Sequence, residues 1–200
     1  MQRRELLKLT SVLVAVGAAG PVRAEACAGD GTPAQFIPKR PADAEPSQND
    51  LTKYPKCPYC GMDRKEYQAT RMLVQYSDDL PDPTCSLHCA AVSLSINVDR
   101  GPKAIYVADN AASASPPPLI AVDGATFLVG SDMKGVMTKR SKVAYGSADA
   151  AQAAQKGHGG ELVDFDKALL AAYTDMAEDV KMIRMKREER RRQVQKQGPS

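Results

Sequence analysis

Four of the five cysteines of this 200-residue chain fall in two short segments. These are Cys57-Pro58-Tyr59-Cys60-Gly61-Met62 and Cys85-Ser86-Leu87-His88-Cys89. The fold must decide whether the two segments meet. The rest of the composition makes that decision weighty. Aromatic residues are 5% of the chain, with no Trp and 3 Phe, so a core here leans on Leu, Val, Ile, Ala and Met. A modest core of that kind gains most from a cross-link, whether by metal or by disulfide. The 14 Gly and 14 Pro cut the chain into short elements and argue against a coiled coil, a collagen or a multi-pass membrane protein.

Charge divides the chain into three parts. Residues 1–24 carry four Lys/Arg against one acid, and residues 181–200 carry eight against two. The stretch between them has fifteen basic and twenty-one acidic residues, so the folded body is acidic and the ends are basic. That distribution gives no footing for nucleic-acid binding by the body, which needs clustered basic charge. An acidic body points instead to solvation, or to steering towards a basic patch on a partner.

Residues 1–24 have the layout of an export signal: Arg3, Arg4 and Lys8, then an apolar run too short to span a bilayer, then Val22-Arg23-Ala24 at a cleavage point. The run Arg3-Arg4-Glu5-Leu6-Leu7-Lys8 resembles a twin-arginine signal, and a bacterial periplasm or cell envelope follows. Cys27 follows a second cut at Ala24-Glu25-Ala26, which makes it the candidate lipidation site, although that sequence is a poor lipobox. Residues 25–53, broken by Gly29, Gly31, Pro33, Pro38, Pro41 and Pro46, read as a disordered linker.

The folded body is expected over residues 54–176, as α+β, with two small related strand-helix-strand units at about 54–112 and 119–176. Arg71–Ser77 alternates like a strand, Asp78 to Pro83 reads as a turn, and Cys85–Val98 has helical spacing with Thr84 as its N-cap. Lys103–Ala108 reads as a strand. Leu119–Val122 and Thr126–Val129 read as a hairpin around Asp123-Gly124, and Lys142–Tyr145 and Glu161–Asp164 as further strands. Ala148–Lys156 reads as a helix ended by Gly157, and Asp166–Tyr173 as a helix capped by Asp166. Residues 177–200 form a basic helical tail: a solvated charge run, or a surface for a membrane or a partner.

On a helix, Cys85, His88 and Cys89 stand at i, i+3 and i+4 and share one face. Gly61 permits a tight turn that lets Cys60 and Met62 converge. Four chemistries are open on these residues. Cys57, Cys60, Cys85 and either His88 or Cys89 make a four-ligand set for structural Zn²⁺. Cys57-Pro58-Tyr59-Cys60 has the spacing of a thiol-disulfide oxidoreductase. Thiolate with thioether sulfur favours Cu(I) transfer and is the reading that uses Met62, Met133 and Met137. In an oxidising compartment the four cysteines also suit two disulfides. His158 reads as a loop histidine, and Met182 and Met185 as packing on the last helix. No phosphate loop, dinucleotide fingerprint or Ser–His–Asp order appears, so no enzyme is expected beyond the dithiol reading.

Five blocks in order, Cys57–Arg64 (CPYCGMDR), Arg71–Ser77 (RMLVQYS), Thr84–Ala91 (TCSLHCAA), Gly135–Arg140 (GVMTKR) and Gly159–Phe165 (GGELVDF), resemble the NosL family of nitrous oxide reductase accessory proteins. The resemblance runs with gaps from about Tyr54 to Met176. It implies a periplasmic copper chaperone that binds Cu(I) and serves maturation of the copper–sulfide cluster of nitrous oxide reductase, with that enzyme or its maturation machinery as partner. Cys60 and Met62 match the family's ligand motif, and Met137 in the Gly-Val-Met block is the implied incoming thioether. Cys57, Cys85, His88 and Cys89 go beyond the minimal motif. Membrane association through a lipid on Cys27 or through the basic tail is a further expectation.

Overall fold

The computed structural model describes residues 41–98 and 100–197; the export signal and Cys27 lie outside them. The chain is α+β, built on two antiparallel sheets. In the first, β1 (Met72–Tyr76) is flanked by β2 (Pro81–Thr84) and β3 (Pro102–Ala108), and β3 pairs in turn with β4 (Leu119–Ala121). In the second, β5 (Thr126–Val129) lies between β6 (Lys142–Tyr145) and β7 (Glu161–Val163). Helix α1 (Asp50–Lys53) precedes the first sheet, α2 (Leu87–Ile96) follows β2, α3 (Ala148–His158) follows β6, and α4 (Phe165–Gln197) closes the chain.

The expected relationship between the units is visible in topology. Each unit runs strand, strand, helix, strand, and in each the first strand becomes the centre of the sheet. Their hairpins differ in one respect. The link between β1 and β2 is the short turn 77–80, whereas β5 and β6 are joined by the long connection 130–141.

The core follows strand parity. Met72, Val74 and Tyr76 point to one side of β1 and pack with Leu87, Ala90 and Ala91 of α2. Phe127, Val129 and Ala144 of the second sheet join the same cluster together with Ala168 and Ala172 of α4, so α2 and α4 meet between the sheets. Ring centroids of Phe127 and Phe165 lie 5.9 Å apart. The far side of the second sheet, with Leu128, Val143 and Tyr145, takes Ala151 of α3 and also Met133.

Several expectations need correcting. The linker ends earlier than residue 53: Asp50 is buried, and Gln75 donates from the outer face of β1 to the carbonyls of Asp43 and Ala44. Residues 81–84 form a strand in spite of Pro81 and Pro83, because β2 is an edge strand and a missing N–H there can face away from the ladder. The helix after it begins at Leu87, with Ser86 as N-cap, so Cys85 stands before the helix. Residues 119–129 make no hairpin. Gly124 lacks the positive φ that such a turn requires, Val122–Gly124 forms a 3-10 turn, and β4 and β5 join different sheets. Gly157 lies inside α3, and Gly159 at φ 69° ends it. The last two expected helices are one, starting at Phe165, and Asp164 caps it by accepting from the Lys167 amide at 2.9 Å.

Candidate metal centre

The loop 56–64 is closed by its own backbone. The Cys57 amide donates to the Met62 carbonyl and the Gly61 amide to the Cys57 carbonyl, both at 2.9 Å, while Lys56 and Asp63 form an isolated antiparallel bridge. Gly61 sits at φ 77°, so the turn depends on glycine. Arg64 then pins the loop to the body. Its side chain is completely buried and donates to the carbonyls of Tyr54, Asp50, Met72 and Thr84, and to the Asp50 carboxylate at 2.8 Å. Arg71 reaches the same carboxylate at 3.0 Å.

The second half of the site comes from the end of β2 and the first turn of α2. Thr70 holds Cys85 in place by donating to its carbonyl at 2.8 Å. The two halves meet: the sulfurs of Cys57, Cys60, Cys85 and Cys89 all lie within 4.8 Å of one another. Cys60 Sγ is 3.4 Å from Cys85 Sγ, which is 3.8 Å from Cys89 Sγ, and none of the four is bridged. Cys57, Cys85 and Cys89 are buried, whereas Cys60 is half-buried.

Their proton affinities separate. The Cys57 thiol is held low because the thiols of Cys60, Cys85 and Cys89 can donate towards its sulfur, which outweighs burial. Cys60 is lowered as well: Cys57 works against its ionisation, and Cys85 and Cys89 donate in its favour. Cys85 and Cys89 are pushed up, first by Cys57 and then by Cys60. In the metal-free cluster, Cys57 and Cys60 are thus biased towards thiolate and Cys85 and Cys89 towards thiol.

Met62 and Met137 pack against this cluster. Met137 comes from the long β5–β6 connection and adopts φ 61°, in the left-handed region unusual for its residue type. The turn that presents it is tight: a Cβ on Gly135 would lie 2.3 Å from the Thr138 carbonyl oxygen. Cys60, Met62 and Met137 line a cleft of about 600 Å³ whose other wall is α4, including Met182 and Ile183.

His88 does not join the sulfurs. Because Cys85 precedes the helix, the i, i+3, i+4 face does not form. The imidazole is buried against Asp179 of α4, with Nδ1 3.5 Å from Oδ2, too long for a hydrogen bond. Burial lowers its pKa, and the Asp179 carboxylate opposes that shift. Asp179 also accepts from the Lys139 amide at 3.1 Å, which ties α4 to the loop carrying Met137. Met133 packs under α3, His158 pairs with Asp132 at 2.8 Å, and Met185 is exposed. Sequence reasoning missed Asp50 and Arg64, which carry no periodicity. The one available signal for Arg64 was its place at the end of the Cys-Gly-Met block.

Four sulfurs within one ion's reach, with two thioethers beside them, form a soft-metal site. A tetrahedral zinc with Zn–S of about 2.3 Å has S···S edges of about 3.8 Å, which this cluster approaches. Among the described residues no helix is long and apolar enough to cross a membrane.

No curated protein sequence matches the chain. Among solved structures it is similar to the copper chaperone NosL from Shewanella denitrificans, at 25% identity over 64% of this chain and 96% of that one, with a TM-score of 0.49. It is also similar to the apo-NosL protein from Achromobacter cycloclastes, at 23% identity over 48% of this chain and 82% of that one, with a TM-score of 0.33. The family model for NosL matches residues 48–171, which is more than half of the sequence and includes both cysteine segments and the Met137 loop, and the chain belongs to the NosL family.

Proposed function

We propose that this protein is a periplasmic Cu(I) chaperone, not an enzyme, that supplies copper for maturation of the nitrous oxide reductase copper–sulfide cluster. Export through residues 1–24 is part of the reading. The observation that carries it is the asymmetry of the sulfur cluster: three buried cysteines lie behind one half-buried thiol, Cys60, which opens on a cleft with Met62 and Met137. A carrier has to shield Cu(I) and then pass it on ligand by ligand. Neutral thioethers on long side chains suit that exchange, since they need no deprotonation and can swing. Cys57 and Cys60 supply the thiolates, while the protonated Cys85 and Cys89 stabilise them by S–H donation. The deciding experiment is anaerobic titration of the reduced protein with Cu(I) against a chelator, with native mass spectrometry for stoichiometry. One Cu(I) per chain, held far more tightly than Zn(II), is expected.

The near-tetrahedral sulfur spacing favours a second reading, a closed zinc site that stabilises the fold. Proton release separates the two. Zinc takes all four sulfurs, including Cys85 and Cys89, whose thiols are pushed up by Cys57 and Cys60, so its binding releases more protons. Its affinity then climbs with pH. Cu(I) on Cys57 and Cys60, the two thiols held low, assisted by Met62 and Met137, releases fewer. Calorimetry in buffers of different ionisation enthalpy measures the count. As many protons released by Cu(I) as by Zn(II), or unfolding on chelation, overturns the transfer site.

The Met137 turn gives a further check. Gly135→Ala forces open the contact with the Thr138 carbonyl. It should weaken Cu(I) binding on the order of tenfold, as loss of a supporting group does, while the zinc affinity of the four cysteines stays unchanged. Equal loss for both metals would place Met137 outside the site.

A further inference from the structure

The inward face of α4 changes character where the helix leaves the body. Asp179 on that face is buried. Continuing along the same face, helical spacing brings Ile183, Lys186 and Arg190, and all three line the cleft opposite Cys60, Met62 and Met137. A helix face turned towards its own protein is ordinarily apolar, yet here it becomes cationic. Lys56 and Lys134 stand elsewhere on the lining and Arg187 flanks the stripe. Two acids share the lining, Asp63 and Glu66, and Asp63 is taken up by Lys56 at 3.0 Å. Lys134, Lys186, Arg187 and Arg190 form no ion pair among the described residues. The body as a whole is acidic, so the basic end of α4 gives this mouth the opposite sign to the body it faces.

We infer that the mouth of the sulfur site is a docking surface for an acidic segment of the protein that exchanges metal with this chain. The inference rests on the proposed transfer role. A gap of about 600 Å³ admits a polypeptide loop. The floor of that gap is soft sulfur, which calls for a visitor bringing a thiolate or thioether of its own. Inorganic phosphate makes no use of such a floor. A membrane would meet the outward face of α4 instead, where Glu188 stands and pairs with Arg192 at 2.5 Å. Carboxylates around a soft ligand match both features of the cleft. They bring the partner sulfur to Cys60 and Met62, and their departure after transfer is eased by salt.

The test uses the full chain without its export signal, reduced, both apo and Cu(I)-loaded. The probe is a fluorescein-labelled peptide with glutamates flanking a Met-Gly-Met core, compared with the same peptide carrying glutamines. Fluorescence anisotropy should show the glutamate peptide binding at least about tenfold more tightly, the scale of electrostatic selection at an interface. Lys186→Glu combined with Arg190→Glu should abolish that preference. Arg184→Glu combined with Arg191→Glu, the same charge change on the outward face, should leave it intact. Equal loss from both pairs means net charge alone attracts the peptide, and overturns the inference. Binding to phosphatidylglycerol vesicles, with no preference for the glutamate peptide, overturns it in favour of a membrane. Cu(I) affinity is read on the same variants by chelator competition. Absence of copper binding in the unaltered chain defeats the transfer role, whereas intact copper binding without peptide preference defeats the docking surface alone.

Discussion

Cys60→Ala should lower the Cu(I) affinity by more than about a hundredfold, beyond the 10–100-fold typical of losing an outer-shell partner. Cys60 is the sulfur with both a lowered pKa and a place on the cleft wall. Its removal takes away one of the two ready thiolates and the only one with a way out. Met62→Leu and Met137→Leu keep the volume and lose the sulfur, so each should weaken binding less and leave the fold unchanged. Cys85→Ala and Cys89→Ala should raise the pKa of Cys57 by removing donors to its sulfur, and so shift copper binding to higher pH without abolishing it. Chelator competition across pH 6–8 measures all five variants. Should the Cys85 and Cys89 variants lose copper altogether while Met137→Leu has no effect, the metal sits in the buried tetrathiolate and the cleft has no part in transfer.

The second large effect lies behind the metal loop. Arg64→Met leaves Asp50 buried with Arg71 as its remaining cation and takes a donor away from four carbonyls that Arg64 now serves. Breaking a buried pair on one side costs about 3–5 kcal/mol. For a chain of this size each kcal/mol shifts Tm by roughly 2–4 °C, so a fall of about 10 °C is expected. Arg64→Lys keeps the charge but lacks the fork needed to reach so many acceptors, and should recover only part of that loss. Calorimetry of the metal-free protein is the right measurement, because bound metal would mask the effect through linkage. A shift under 2 °C for Arg64→Met would mean the loop is held by the cysteines themselves.

What the sequence made legible depended on the range of each signal. Alternation located β1, because it is a local pattern. The two cysteine segments narrowed the site, by their residue types, to zinc, copper, dithiol redox chemistry or disulfides. Their convergence could be suspected but not placed, since it depends on how β1 and β2 set the end of one strand against the loop before the other. Pro81 and Pro83 misled because a strand at the edge of a sheet tolerates what a central strand forbids. His88 misled more instructively. Its spacing from Cys85 is right for a shared helix face, but the helix starts two residues later than periodicity suggests, and Asp179 stands opposite the imidazole. Asp179 lies ninety-one positions away in the chain, and no local pattern reports such a pairing. Asp50 and Arg64 were invisible for the same reason: a buried ion pair looks, in sequence, like two surface charges.

The long connection between β5 and β6 has a consequence for how this site could arise and be lost. Its counterpart in the first unit is the tight turn 77–80, and the strand pairing on either side is of the same kind. Lengthening a loop is cheap, since each doubling costs only about 0.6 kcal/mol of closure entropy. A scaffold made of two like halves can therefore acquire a reaching arm on one of them without renegotiating its sheets. The residue at the arm's tip, here Met137, is then free to vary, while the cysteines anchored in the other half keep their positions. Variation among relatives should gather in 130–141 and spare the strands that flank it.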